Sequence, residues 1–347
     1  MNEVLDKRLS VSKNEAFEEM QKIMNGYFDT DGVLEFLSNN DLHTLSEEVL
    51  QGYRSAVIAS GLYTLDTSQF EKPVVDIVGT GGDGRSTANI STFASLICAA
   101  TDLVNVAKYG NRSASGICGS MDIFENLGIK IELSENEVIG LINNFGIAPL
   151  YARFIYPGGK YIAEARNEFK LPTVFNLLFS TSRPFKGNLK FIFGCALESQ
   201  LETVEKFFIS DLNTRCLLVN GHDGTDEIST SGNGKSNYSL IEKGSVKRGI
   251  MDCNKLFGIS PGDLTLLQIS SKEEAVDLFC NALDPSKSGK KIGALRNAGV
   301  VNAAAALFIA LENGEDNPAE INKYISCSRD ALASGKVLEL VNDLKNN

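Results

Sequence analysis

Histidine is scarce in this chain of 347 residues, where it occurs only as His43 and His222. A mechanism centred on histidine acid–base chemistry therefore has little to work with, and His43, in a helical region, is expected to be structural. Cysteine occurs seven times but never as a CxxC pair, so neither a zinc site nor a disulfide framework is indicated. We expect the thiols to be reduced and to lie in the core.

Positive charge is also in deficit, because 33 lysines and arginines face 44 aspartates and glutamates, for a net charge of −11. Nucleic acid is a poor partner for such a chain, since its binding relies on neutralising many phosphates. The first 20 residues lack the apolar stretch of a signal peptide, and no run of 18 or more apolar residues occurs. The sequence predicts a cytoplasmic protein without a membrane partner, in which any phosphate site is local.

The front of the chain has the periodicity of helices. Ser12 and Glu15 form a capping-box pattern, and apolar residues then recur at helical spacing there and again over residues 33–37 and 46–60. This pattern predicts an all-helical domain over residues 1–70.

From residue 71 onward, short apolar runs alternate with helical stretches. The runs that predict strands are residues 74–78, 105–107, 189–193 and 214–219. Such alternation predicts an α/β domain over residues 71–347, with a mainly parallel central sheet and helices on both faces. Residues 232–236 and 285–291, rich in glycine, serine and lysine, are predicted to be exposed loops.

A glycine-rich loop follows the first predicted strand, between Gly79 and Gly84. Its glycines allow the backbone to approach a ligand closely, and N–H groups at the loop and at the next helix start can hold an anion. The loop fits neither a P-loop, which needs a Lys-Ser/Thr pair, nor a dinucleotide site, because the next strand ends in Lys108 and not in an acidic residue. A phosphate site and a tight structural turn both remain open.

Two further loops follow predicted strands. The loop over residues 108–120 offers two cations and several hydroxyl donors, namely Lys108, Arg112, Ser113, Ser115 and Ser120. Together with the first loop it suits a ligand with phosphates at both ends, although basic residues are more often a solvated face. The loop over residues 220–227 crowds Asp223, Asp226 and Glu227, which indicates either an acidic turn or Mg²⁺ held together with substrate phosphates.

Five motifs in these loops together resemble those of the anthranilate phosphoribosyltransferase family. They are GTGGD at 79–83, NIST at 89–92, KYGNR at 108–112, GSMD at 119–122 and DGTDE at 223–227. The similarity covers most of the chain. It implies a nucleoside phosphorylase/phosphoribosyltransferase-like fold, in which some helices from about residues 160–185 join the front helical domain, and a homodimer formed through that domain.

The resemblance also implies an activity: Mg²⁺-dependent transfer of phosphoribose from phosphoribosyl pyrophosphate to the amino group of anthranilate, as in tryptophan biosynthesis. The products would be N-(5-phosphoribosyl)anthranilate and pyrophosphate, and two Mg²⁺ ions are implied. Displacement at the anomeric carbon mainly needs charge stabilisation on the leaving pyrophosphate and positioning of the amine, so no residue is assigned as a catalytic base.

Site residues follow from the resemblance by matching motif positions. Phosphoribosyl pyrophosphate would be held by Gly79, Gly82, Asp83, Thr87, Asn89, Ser91, Thr92, Lys108 and Ser120. The metals would be held by Ser91, Asp226 and Glu227, and the acceptor by Gly79, Asn111 and Arg166.

The acceptor segments depart from the family pattern. Tyr109, Tyr156 and Asn220 each stand where a histidine is usual, while residues 150–153 and 179–184 replace LFAP-like and GPLTNP stretches. Arg153 and the two tyrosines would add positive and hydrogen-bonding character to the acceptor pocket. A paralogue that uses another aromatic amine or carboxylate acceptor is therefore the alternative to drift around anthranilate.

Two further interpretations are weaker. A nucleoside phosphorylase would need no paired metal carboxylates, which the chain has at Asp226 and Glu227. A non-catalytic protein that binds nucleic acid would not need the intact phosphate motifs, and the acidic charge opposes it.

Overall fold

Three amphipathic helices precede the sheet. The computed structural model describes residues 11–40, 44–81, 83–113, 117–170, 173–312 and 318–347, without the side chains of 318–320; His43, Gly82 and Ser115 lie outside the described residues. The helices are α1 (Lys13–Met24), α2 (Thr30–Asn39) and α3 (Glu47–Ala59). The predicted capping box is confirmed, since Ser12 and Glu15 bond each other's backbone N–H.

A seven-stranded sheet forms the centre of the described part of the chain. Its strands are β2 (Val74–Gly79), β3 (Asn105–Gly110), β4 (Ile147–Tyr151), β6 (Leu189–Gly194), β7 (Thr214–Gly221), β8 (Lys235–Glu242) and β9 (Ser245–Asp252). They lie side by side in the order β4-β3-β2-β6-β7-β8-β9. The first five strands in this order pair in parallel, and β8 and β9 pair antiparallel. The predicted α/β class with a mainly parallel sheet is confirmed.

The antiparallel strands correct one prediction. Residues 232–236 are not wholly an exposed loop, because β8 begins at Lys235 and Ser236 is buried. The segment's glycine and serine content reflects the turn before β8, which is too short to separate from the strand by composition.

Twelve further α-helices follow the front three in the described residues. They are α4 (Ile90–Ala100), α5 (Ser120–Asn126), α6 (Glu135–Phe145), α7 (Ala152–Ile155), α8 (Ala163–Phe169), α9 (Val174–Thr181), α10 (Gln200–Phe208), α11 (Cys253–Phe257), α12 (Lys272–Leu283), α13 (Lys290–Leu311), α14 (Pro318–Ala333) and α15 (Lys336–Lys345). Short 3₁₀ turns lie at Thr67–Gln69, Pro157–Ile162 and Leu264–Leu266.

Later segments return to the front helices. The turn Pro157–Ile162 packs on α1, α8 packs on α2, and α9 packs on α3. A short parallel pair, β1 (Leu65–Asp66) with β5 (Phe185–Lys186), joins the two parts of the chain. The division into domains near residue 70 stays a prediction.

Helix α13 is long and apolar enough, by length and composition, to cross a membrane, and it is the one such helix among the described residues. Its apolar window is 72% buried inside the protein. It packs along α4, where Gly299 faces Phe93 and Ile97. Its composition is thus that of a core helix. The loop predicted over residues 285–291 ends earlier than expected, because α13 begins at Lys290.

The cysteines are free thiols, and most of them are enclosed. Cys98, Cys195, Cys216 and Cys253 are buried, and Cys118 and Cys327 are partly so. Cys280 is exposed, which corrects the expectation that all the thiols lie in the core. It lies on the solvent side of α12, where a helix tolerates any small side chain.

Candidate active site

The carboxyl end of β2 gives way to the glycine loop, and the neighbouring strands bring an acidic side chain to it. A Cβ at Gly79 would collide with the Asp226 carboxylate, and a Cβ at Gly194, the last residue of β6, would collide with the Asp226 carbonyl oxygen. Only glycine leaves this space. The Gly81 N–H also donates to Asp226 Oδ2 at 2.7 Å. The ends of β2 and β6 therefore both require glycine, because Asp226 occupies the space beside them.

Three carboxylates converge at this point. Asp83, Asp226 and Glu227 offer ligand oxygens that all lie within 4.8 Å of one another. Burial and the charge of Asp83 raise the pKa of Asp226 to about 6, and burial together with Asp226 raises the pKa of Glu227. Burial likewise raises the pKa of Asp83. The cluster therefore holds more negative charge than its surroundings stabilise.

A magnesium ion fits this cluster. Oε2 of Glu227 and Oδ2 of Asp83 are buried and have no hydrogen-bond partner in the described structure. Unpartnered buried carboxylate oxygens at close range are unfavourable without a cation, and oxygen is the ligand type that Mg²⁺ prefers. The donor set thus agrees with the metal role predicted for Asp226 and Glu227 and adds Asp83 to it.

Asp223 does not belong to this cluster, although the sequence grouped it with Asp226 and Glu227. Its carboxylate accepts hydrogen bonds from the hydroxyls of Thr225, Ser229 and Ser231. These bonds hold the acidic loop in shape. Asp223 is therefore an organiser of the loop.

The start of α4 lies beside the second loop. Thr87 forms a bridge with Gln268, and Asn89 donates to the Cys118 carbonyl at 3.0 Å. Oδ1 of Asn89 and the Thr92 hydroxyl are buried without a partner among the described residues. Ser91 lies in the first helical turn. These groups can meet a phosphate at the helix N-terminus.

Lys108 lies deeper than an exposed phosphate-binding lysine. Its ammonium donates to the carbonyl of Ile77 at 2.6 Å, and the residue is 2% exposed. Burial lowers its pKa, while the Asp76 charge opposes that shift. Lys108 therefore supports the strand that leads into the glycine loop and supplies positive charge near the carboxylates.

The second loop is organised by Asp122. Its Oδ2 accepts the N–H groups of Ser113 and Gly119, both at 2.8 Å, and its Oδ1 accepts from Lys272 at 2.6 Å. The Ser120 hydroxyl faces Gly110, the last residue of β3. Asp122 lies in the GSMD motif at 119–122, from which its role could not be predicted, and the lysine that pairs with it comes from α12.

Arg112, which the sequence offered as a cation of the second loop, is paired within the protein. Its guanidinium forms a bidentate pair with Glu125, at 2.8 and 2.7 Å, and lies over the ring of Tyr151. Arg85 takes up a position nearer the acidic loop, since its guanidinium occupies the space where Gly224 would carry a Cβ. Sequence reasoning missed Arg85, which follows Asp83 by two residues.

The predicted acceptor residues lie on two elements. Asn111 follows β3, and its Oδ1 accepts the backbone N–H of Arg153 at 3.2 Å. Arg166 lies on α8, where burial lowers its pKa, and no ion pair joins its guanidinium to a carboxylate in the described residues. An unpaired, half-buried guanidinium is suited to a carboxylate ligand.

Most of the departures from the family pattern lie in the interior. Tyr109 is 2% exposed and donates to the Phe179 carbonyl at 2.7 Å, and Tyr156 is 1% exposed. Asn220 donates to the Cys195 carbonyl at 2.9 Å. Packing in the core encloses both tyrosines, and the expectation that they add hydrogen-bonding character to the acceptor pocket stays a prediction. Arg153, by contrast, has an exposed side chain.

Arg183, in the segment that replaces GPLTNP, is also internal. Its Nε lies 2.9 Å from Asp76 Oδ2, and both side chains are fully buried. The guanidinium stacks over Phe191 at 4.2 Å from the ring centroid. Asp76 in turn accepts the N–H of Tyr109. Asp76 thus connects Tyr109 with Arg183 in one buried network.

The chain is similar in sequence to a known protein family and to individual proteins. Residues 71–338 match the model of the "Glycosyl transferase family, a/b domain". The chain is 30% identical to the anthranilate phosphoribosyltransferase of Roseiflexus sp. over 94% of its own length and 91% of the relative's. It is 31% identical to that of Dehalococcoides mccartyi, over 98% and 94%.

Two solved structures have a fold similar to that of this chain. The anthranilate phosphoribosyltransferase of Thermus thermophilus has a TM-score of 0.84 at 26% identity, covering 99% of this chain and 98% of that one. That of Saccharomyces cerevisiae, in complex with phosphoribosyl pyrophosphate and Mg, has a TM-score of 0.83 at 19% identity, covering 99% and 96%, and supports the fold. With its paired strand ends and carboxylate cluster, the chain belongs to the anthranilate phosphoribosyltransferase family of glycosyl transferases.

Proposed function

We propose that this chain transfers phosphoribose from phosphoribosyl pyrophosphate to the amino group of anthranilate, releasing pyrophosphate, as a step of tryptophan biosynthesis. The observation that supports it most directly is the cluster of Asp83, Asp226 and Glu227 under the glycine loop. Family membership supports the same assignment, as does the Arg166 guanidinium, which pairs with no carboxylate of the described residues.

The residues have separate roles in this reaction. The loop N–H groups after β2 and the start of α4 bind the pyrophosphate, and the second loop, held by Asp122, binds the far phosphate. Arg166 orients the acceptor through its carboxylate. Asp226, Glu227 and Asp83 would hold a magnesium ion, and this ion would neutralise negative charge on the departing pyrophosphate.

No side chain needs to remove a proton from the acceptor before attack. The amine is already nucleophilic, and the barrier falls mainly through positioning and through stabilisation of leaving-group charge. The His222 ring bonds to Asn237 at 3.1 Å on the exposed side of the acidic loop. Histidine chemistry therefore has no part in the proposal.

The test is pyrophosphate release from phosphoribosyl pyrophosphate with Mg²⁺, with and without anthranilate. Release should require anthranilate, and Asp226→Asn should lower kcat/KM by about 100-fold or more, since loss of ~3 kcal/mol of charge stabilisation gives that factor. Asp277→Asn, an exposed carboxylate of α12, is the matched control and should leave the rate unchanged.

The acceptor is tested separately. Because Tyr109, Tyr156 and Arg183 lie in the core, the structure supports anthranilate over a different acceptor. Binding of phosphoribosyl pyrophosphate without release in the presence of anthranilate would contradict this choice. Other aromatic amines or carboxylates would then be screened, with Arg153→Ala to ask whether the exposed arginine selects them.

We also propose that two Mg²⁺ ions bind, that the chain is a homodimer and that it acts in the cytoplasm. The carboxylate cluster supports metal binding, and calorimetric titration with Mg²⁺ and pyrophosphate gives the number of ions.

Exposed aromatic residues beside the front helices support the dimer. Fractionation of cells that express the tagged chain tests its location.

A further inference from the structure

A cavity of about 270 Å³ lies at the start of α13, outside the carboxylate cluster. One face of the helix lines it, with Lys290, Gly293, Ala294 and Asn297 at the spacing of successive turns. A Cβ added at Gly293 would meet no atom within 4 Å, and the same is true of Gly262, which also lines the cavity. The space is large enough for a small metabolite.

Hydrogen-bond donors lie beside this cavity. The residue before α13 is Gly289, which has no side chain to cap the first N–H groups of this 22-residue helix. Thr230 lines the cavity and is 7% exposed, and its hydroxyl has no partner among the described residues. A hydroxyl that lines the cavity and bonds to no protein group is free to bond a ligand or water there.

The cavity also carries one charge of each sign. Lys290 and Asp263 both line it, and neither forms a salt bridge within the described chain. The Asp263 carboxylate accepts the N–H of Thr265 at 2.9 Å, which lowers its pKa and keeps it ionised. The helix N-terminus adds positive potential on the side of Lys290.

These charges select the ligand. A plain anion would pair with Lys290 and the helix end but leave Asp263 without a partner, and a plain cation would leave Lys290 without one. A molecule with both charges satisfies both, and Leu266, Leu267 and Ala294 offer apolar surface for the rest of it. We propose that this cavity binds a small zwitterion with a carboxylate and an ammonium group, of which an α-amino acid is the simplest form.

The cavity wall also supports the active-site loops. The Leu267 carbonyl accepts the N–H of Ala88, and the Ser231 hydroxyl donates to Asp223. The bound zwitterion thus lies one layer of backbone away from the loop after β2. Any effect on affinity for phosphoribosyl pyrophosphate must be reciprocal.

Isothermal titration of the full chain with each of the twenty amino acids tests the proposal, with binding itself as the readout. At least one should bind saturably, and its N-acetyl and amide derivatives should bind about tenfold more weakly or worse, because each lacks one charge. Lys290→Gln and Asp263→Asn should each weaken binding by a similar factor, whereas Lys287→Gln, a nearby exposed lysine, should not.

A cavity-filling variant gives an independent check. Gly293→Leu should abolish binding while leaving the circular dichroism spectrum unchanged, since a Cβ there meets open space. The proposal is overturned if no amino acid binds saturably, or if binding is indifferent to both charge substitutions. Binding of inorganic phosphate alone, dependent on Lys290, would also overturn it by making the cavity a simple anion site.

Discussion

At the scale of single residues, the ion pair of Asp76 and Arg183 is fully buried, and Arg183 lies in a segment that departs from the family pattern. Removing one partner leaves the other charge buried and unpaired. Arg183→Met should therefore lower the free energy of unfolding by about 3–5 kcal/mol, measured by urea denaturation. The double variant with Asp76→Asn should lose clearly less than the sum of the two single changes. Additive losses would contradict direct coupling of the two side chains.

The carboxylate cluster makes Mg²⁺ binding depend on pH. The pKa of Asp226 in the folded chain, about 6, lies above its unfolded value of about 3.9. Without a cation, the stability it contributes is full below about pH 4 and is lost as pH rises through about 6. A metal must displace that proton, so Mg²⁺ affinity should rise from about pH 5 to 7, with proton release measured by calorimetry in two buffers. Constant affinity over this range would contradict the raised pKa.

At the scale of elements, α13 holds the acidic loop in position. Oδ1 of Asn302 accepts the N–H of Ile228 at 3.1 Å, and its Nδ2 donates to the carbonyls of Ile228 and Ala298 at 3.3 and 3.0 Å. Ile228 directly follows Glu227, so the helix fixes the backbone beside the carboxylate cluster. The helix that forms the core thus also sets the geometry of the site.

Asn302→Ala should expose this role. It leaves buried polar groups of Ile228 unpaired, which costs about 1–3 kcal/mol each. Beyond that loss, the Mg²⁺ concentration for half-maximal turnover should rise, because the carboxylates are no longer held. Asn281→Ala, an exposed asparagine of α12 that also bonds a carbonyl one turn before it, should leave the Mg²⁺ dependence unchanged. If Asn302→Ala is less stable but needs the same Mg²⁺ concentration for half-maximal turnover, Asn302 contributes to stability and does not position the carboxylates.

At the scale of the whole molecule, the front helices present an aromatic surface. Tyr27 is 78% exposed and Tyr161 is 43% exposed, and the Tyr161 ring lies against Gly26. If this surface forms the proposed dimer, Tyr27→Glu with Tyr161→Glu should give monomers in sedimentation analysis. Leu212→Glu, at a residue 67% exposed in the turn before β7, should leave the assembly state unchanged. A wild-type chain that sediments as a monomer at all concentrations would refute the dimer.

The sequence by itself determined the local structure. The cap at Ser12, the strand before the glycine loop and the presence of a helix after that loop could be predicted from spacing, because helices and strands follow from periodicity and from hydrogen bonds between near neighbours. The parallel sheet followed from the alternation of these elements. Family resemblance added the roles of the loops, which periodicity does not reveal.

Only the tertiary structure decided which side chains meet. Asp83 lies beside Asp226 and Glu227, whereas Asp223 bonds within its own loop. Tyr109, Tyr156 and Arg183 are buried in the core. These outcomes depend on the pairing of β2, β6 and β7, which brings residues far apart in sequence to one edge of the sheet. Burial there then sets each carboxylate's pKa, because removal of water raises the free energy of a charge that no neighbour compensates.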